Sequence, residues 1–196
     1  MEYKKIIFLD VDGVINIPPY NSFDLKCLNN LRSIIIETDS KVVISSSWRE
    51  GDLERTKSHF PNWLKEYIIG ETIRGYKQVK DGSSLPICRG NEIKHWIDRN
   101  LIYPWHARPE LADKYKVYGE DGSFQKMKSY ALGKDFVYVI LDDDNDMLLE
   151  QKDYFIRTES SSGITKERAA NAIRVLTQLK QPPLSPHSPS AHCAGS

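Results

Sequence analysis

Apolar residues fall into three short runs, and each run delivers polar side chains at its C-terminal end. Ile6-Ile7-Phe8-Leu9 leads into Asp10-Val11-Asp12-Gly13, and Lys41-Val42-Val43-Ile44 into Ser45-Ser46-Ser47-Trp48-Arg49. The stretch from Phe136 to Leu141 leads into Asp142-Asp143-Asp144-Asn145-Asp146. Uninterrupted apolar runs of this length are expected of strands covered on both faces of a parallel sheet. Between the runs, apolar positions recur at helical spacing. Residues 24–37 place Leu25, Leu28, Leu31, Ile34 and Ile35 on one face, and 91–100 place Ile93, Trp96 and Ile97 together. Residues 52–67 predict a helix that Pro61 must interrupt, and 165–179 a last helix with a capped start at Thr165. Ile68-Ile69 and the segment 154–157 add short strands, with a polar segment 70–84 after the first and a short helix before the second. Strands alternating with helices imply βαβ units. The expected fold is therefore α/β, a doubly wound, Rossmann-like, mostly parallel sheet.

Length supports one domain with a substantial core: 196 residues, 40% hydrophobic and 28% charged. Residues 1–180 are expected to form it. Within it, about 101–135, holding Pro104, Pro109 and the turn Glu120-Asp121-Gly122, reads as an irregular insertion with room for a hairpin. Residues 181–196, rich in Pro and Ser, cannot build a core and are expected to be a disordered tail.

Charge narrows the partners. Lys+Arg and Asp+Glu balance at 27 each, which excludes bulk nucleic-acid binding and leaves room only for a local basic pocket. No apolar run reaches membrane-spanning length, and residues 1–20 are expected to hold no secretory signal, since Asp10 and Asp12 interrupt the only early apolar run. Cys27, Cys88 and Cys193 show no CxxC pair or disulfide framework, so a reducing, cytoplasmic compartment is expected. No partner protein is implied. His59, His95 and His106 lack zinc spacing. No GxGxxG follows a strand, and the loop after Asp10 lacks the closing Glu of a calcium-binding EF-hand.

In a parallel sheet the three polar strand ends share one edge, where open α/β sheets bind ligands. Carboxylates gathered there repel one another and take up protons unless a cation sits between them. All-oxygen ligands favour a hard ion such as Mg²⁺. Carboxylates with a divalent ion in such a cleft point to phosphate chemistry, with a hydroxyl and an Arg or Lys to hold the phosphoryl oxygens. The competing reading is an acidic turn and an acidic helix start. Asp144 and Asp146 read as caps or solvated residues. Trp48 reads as a core or rim residue or as a base-stacking platform, and Arg49 as a phosphate contact or a solvated helix start. Arg74, Lys77 and Lys80 read as a solvated loop or a basic rim.

Four segments taken in order, Asp10-Val11-Asp12-Gly13-Val14, Ser45, Arg89-Gly90-Asn91-Glu92-Ile93 and Leu141-Asp142-Asp143, resemble the motifs of haloacid-dehalogenase-like (HAD) phosphatases. Ser46-Ser47-Trp48-Arg49, Glu92-Ile93 with Trp96-Ile97, and Tyr154 to Thr158 leading to Gly163-Ile164-Thr165 are more narrowly similar to the HAD domain of "Swiss army knife" RNA-repair proteins. The resemblance spans roughly residues 3–179. It implies that Asp10 is the nucleophile that forms an aspartyl-phosphate and that Asp12 is the general acid, then base. It further implies that Ser45, or Ser46 as the alternative, binds the phosphoryl group. Asp10, Asp12, Asp142 and Asp143 would serve Mg²⁺. Where many family members carry Lys, Arg89 stands here, with Lys94 in reserve. The expected cap is small or absent. A Mg²⁺-dependent phosphohydrolase is thus expected, with a phosphomonoester substrate such as a nucleotide or polynucleotide end. A non-turning-over binding module and a phosphotransferase are the alternatives.

Overall fold

The computed structural model describes residues 5–78, 82–102, 116–118, 124–127 and 136–178. A five-stranded sheet forms its centre, with strand order β3-β2-β1-β8-β9 and every pairing parallel. The strands are β1 (Lys5–Leu9), β2 (Lys41–Ile44), β3 (Ile68–Glu71), β8 (Val137–Asp142) and β9 (Phe155–Arg157). Ile6, Ile7, Phe8 and Leu9 are all fully buried, so both faces of β1 are covered. Uniform apolarity, rather than alternation, is what such a strand needs.

Register places the functional ends level. Leu9 lies opposite Ile44 on one side and Leu141 on the other. The three central strands therefore finish on the same line, and the residue after each run emerges at one edge.

Helix α1 (Leu25–Thr38) buries Cys27, Leu28, Leu31, Ile34 and Ile35. It starts where Asp24 accepts the Cys27 N–H at 2.9 Å, a standard way to satisfy an orphan donor. Pro61 splits the expected helix over 52–67 into α2 (Leu53–Ser58) and α3 (Asn62–Lys65). Helix α4 (Arg89–Ile97) continues into a π-helical turn, Asp98–Ile102. A 3₁₀ turn, Leu149–Tyr154, precedes β9, and α5 (Lys166–Gln178) packs against α1. Phe8 anchors the core, meeting Trp96 of α4 and Tyr138 of β8 edge-on at centroid distances of 5.5 and 5.7 Å.

The polar segment 70–84 hides a feature that periodicity misses. Strands β4 (Tyr76–Gln78) and β5 (Ser84–Pro86) pair antiparallel. Their side chains are exposed throughout, so no buried face imposes alternation. Most of the expected insertion lies outside the described residues. Within it, β6 (Lys116–Tyr118) and β7 (Phe124–Met127) form an antiparallel pair, as the room left for a hairpin anticipated. The expected tail, 181–196, also lies outside the described residues, as do Lys80 and His106.

Candidate active site

The parallel ladder runs one step past the strands and fixes the first functional residue of each segment. Asp10 N–H donates to Leu141 C=O at 2.9 Å, Ser45 N–H to Leu9 C=O at 2.8 Å and Thr158 N–H to Asp142 C=O at 2.9 Å. Beyond Asp10 the chain turns at Gly13, with φ of 74° and its N–H on Asn16 C=O at 2.7 Å. A Cβ at Gly13 would sit 2.2 Å from Asp143 Oδ2. Only a glycine lets this backbone pass so close to that carboxylate. Thr158 Oγ1 holds the turn from the other side, donating to Gly13 C=O at 2.8 Å.

Asp10, Asp142 and Asp143 meet here, and one oxygen from each lies within 4.8 Å of the other two. Asp10 is 8% exposed and Asp142 1%. Burial pushes Asp142 up to about 8, with the Asp10 charge adding to the effect and Arg89 opposing it. Burial likewise pushes Asp10 up to about 6, against Arg89 and a hydrogen bond from Ser46. Asp142 Oδ1 accepts the Asp144 N–H at 2.9 Å, but buried Oδ2 has no hydrogen-bond partner. Its nearest cationic group is Arg89 Nε at 3.5 Å. One guanidinium against three clustered carboxylates leaves negative charge uncompensated. Together with the orphaned oxygen, this donor set fits a hard divalent cation.

Arg89 opens α4, where its N–H donates to Asp146 Oδ2 at 2.7 Å. Its side chain reaches toward Asp10 (4.0 Å), Asp142 (3.5 Å) and Glu92 (3.5 Å). Lys94, the reserve, instead pairs with Asp98 at 2.9 Å. A helical residue five positions on points around the cylinder from Arg89, so of the two only Arg89 faces the carboxylates. The two serines also differ in what they meet. Ser46 bonds to Asp10, whereas the Ser45 hydroxyl accepts from Thr72 Oγ1 at 3.4 Å.

The Asp12 carboxylate stands apart from the three-carboxylate cluster. Its Oδ1 accepts from Asn16 Nδ2 at 2.6 Å and its Oδ2 from Trp48 Nε1 at 2.9 Å. Both oxygens are therefore engaged away from the cluster. Arg49 is not a solvated helix start. It is buried, donating to Glu92 Oε2 (2.9 Å), Ile73 C=O (2.7 Å), Ser46 C=O (2.5 Å) and the Thr72 hydroxyl. Burial pushes the Arg49 guanidinium down, and Glu92 offsets that. Sequence reasoning missed Ser160, which donates to Asp143 Oδ2 at 2.7 Å, and the clamping role of Asn16. Neither carries a local signal, since both bonds are made by the folded turn.

A cavity of about 590 Å³ adjoins Arg89, lined also by Arg74, Tyr76, Pro86, Glu92 and Asp146. Arg74 is bonded to Ser47 and Arg49 carbonyls, so it braces this wall.

A mostly parallel sheet with acidic residues at the ends of adjacent central strands defines the class, and the comparison with known families agrees. The chain belongs to the family described as the HAD domain in Swiss Army Knife RNA repair proteins, whose model matches residues 6–117. That stretch holds Asp10, Asp12, Ser45, Ser46, Arg89 and Lys94. Asp142 and Asp143 lie beyond it and are brought in by the sheet. No curated protein and no solved structure matches the chain. Among the described residues, no helix is long and apolar enough to cross a membrane.

Proposed function

We propose that this protein is a Mg²⁺-dependent phosphohydrolase that cleaves a phosphomonoester through an aspartyl-phosphate on Asp10. The observation that carries the proposal is the under-compensated trio of buried Asp10 and Asp142 and half-buried Asp143 beside Arg89. Asp10 attacks phosphorus through a carboxylate oxygen, and the ester oxygen leaves with the proton that Asp12 supplies. Asp12, now ionised, takes a proton from water as that water attacks the phosphorus of the aspartyl-phosphate. Inorganic phosphate leaves and the Asp10 carboxylate is regenerated. Arg89 and the Ser46 hydroxyl are placed to hold phosphoryl oxygens, Arg89 with a charge it never loses. Asp10, Asp142 and Asp143 would hold the cation, which supplies charge neutralisation for the approach of one anion to another.

The family and the cavity support a substrate with a bulky leaving group, such as a nucleotide or polynucleotide end. A cytoplasmic location goes with this reading.

The test is phosphate release from p-nitrophenyl phosphate with and without Mg²⁺, comparing the parent with Asp10→Asn. Turnover that needs Mg²⁺ and disappears in the variant is expected. Turnover unaffected by the substitution refutes the mechanism, and an inert parent points to a binding module. A panel of nucleotides, 3′- and 5′-phosphorylated oligonucleotides and sugar phosphates then ranks substrates. Transfer to an added alcohol would reassign the protein as a phosphotransferase.

A further inference from the structure

We propose that Trp48 is a positioning residue for the acid step, its indole N–H fixing the carboxylate of Asp12 toward the leaving oxygen. The inference rests on the phosphohydrolase reading above and adds a residue to it. Asp12 is clamped from two independent directions. Asn16 belongs to the same tight turn, with its N–H on Val11 C=O at 2.9 Å, and it is 1% exposed. Its amide donates to Asp12 Oδ1 at 2.6 Å. Trp48 arrives from the segment after β2 and donates to Oδ2 at 2.9 Å.

The indole has little freedom. Phe23 packs against it at 5.6 Å, Phe60 at 6.5 Å, and His59 meets it edge-on at 5.8 Å. The Trp48 backbone N–H is itself held by Ser46 Oγ at 3.3 Å. This aromatic nest aims one N–H at one oxygen.

A carboxylate oxygen offers two acceptor sites. With one donor on each oxygen, the carboxyl plane is set and the remaining sites define where a proton can leave. As Asp12 gives its proton to the leaving group, negative charge grows on the two oxygens that face N–H donors. Hydrogen bonds to a charged acceptor are stronger than to a neutral one, so the clamp stabilises the transition state more than the ground state. Losing the Trp48 donor should therefore slow the acid step roughly ten- to a hundredfold.

An ester with a good leaving group does not need the acid, whereas an alkyl ester does. The experiment compares kcat/KM of parent and Trp48→Phe on p-nitrophenyl phosphate and 2-phenylethyl phosphate. This ratio reports only steps up to departure of the alcohol, so the later role of Asp12 as base does not enter. The expected result is a ten- to hundredfold fall on the alkyl ester and a change below about threefold on the aryl ester. Equal falls on both esters would mean a merely structural role and overturn the inference. Should Trp48→Phe fail to fold, β-(3-benzothienyl)alanine at position 48 keeps the ring and removes only the N–H, with the same outcomes expected. A parent inert toward both esters, or active after Asp10→Asn, brings down the phosphohydrolase reading and this inference with it.

Discussion

Replacing Glu92 by Gln tests the buried charge network that braces the site. Glu92 and Arg49 are each 6% exposed and meet at 2.9 Å. The second carboxylate oxygen of Glu92 accepts the Gly75 N–H at 3.0 Å, and Arg89 approaches Oε2 at 3.5 Å. Glutamine preserves the shape and one acceptor, but it leaves the Arg49 cation buried without a counter-charge. Removing one partner of a buried pair costs about 3–5 kcal/mol. Arg49 keeps its bonds to Ser46 and Ile73 carbonyls and the Thr72 hydroxyl, so the lower end applies, about 3 kcal/mol. For a chain of this size that corresponds to a fall in Tm of roughly 6–12 °C. Thermal unfolding of Glu92→Gln, Arg49→Met and the double variant measures it. The double variant should be less destabilised than the sum of the single changes, since it buries no unpaired charge. A Glu92→Gln shift below about 2 °C, or strictly additive losses, would refute the network.

Other changes probe the site directly. Gly13→Ala places a Cβ on Asp143 at a φ of 74°. It should cost about 1–2 kcal/mol by urea unfolding and weaken Mg²⁺ binding by calorimetry, and unchanged binding would show that the close approach is unimportant. In metal-free protein, Asp10 and Asp142 have raised values, so they take up protons on folding. The stability they contribute is complete below the ordinary carboxylate value and is lost as pH rises through about 6 and about 8. Melting in EDTA should therefore show falling Tm across that window, and the increment from added Mg²⁺ should grow with pH; an increment flat with pH would contradict the assignment. Arg89→Met should abolish phosphate release, while Lys94→Met leaves it within about twofold, because Lys94 is occupied with Asp98. The reverse ranking would return the cation role to Lys94.

The sheet was readable because β1, β2 and β8 must be apolar on both faces, and short apolar runs alternating with helical periods point to a buried parallel strand. The same logic made Asp10, Asp142 and Asp143 visible, since each follows such a run. The β4–β5 hairpin was not readable, because exposed Tyr-Lys-Gln against Ser-Leu-Pro buries nothing that would leave a period. Whether Ser45 or Ser46 meets Asp10 turns on locating the strand end to one residue, which a pleat of period two makes decisive and a sequence leaves open. Arg49 and Glu92 were ambiguous for a different reason. Each looks like a surface charge until the partner, 43 residues away, is known to be buried beside it.

The level register of β1 and β8 has a consequence for biosynthesis. Strand β1 leaves the ribosome ahead of β8, which comes roughly 130 residues later, about 6–25 s at ordinary translation speed. Until then one flank of β1 lacks its neighbour, and Asp10 faces water without Asp142 or Asp143. A nascent chain stalled or cleaved before Val137 is thus incapable of assembling the acidic trio, however well its first half has condensed. Competence should switch on all at once, when β8 slots in beside β1.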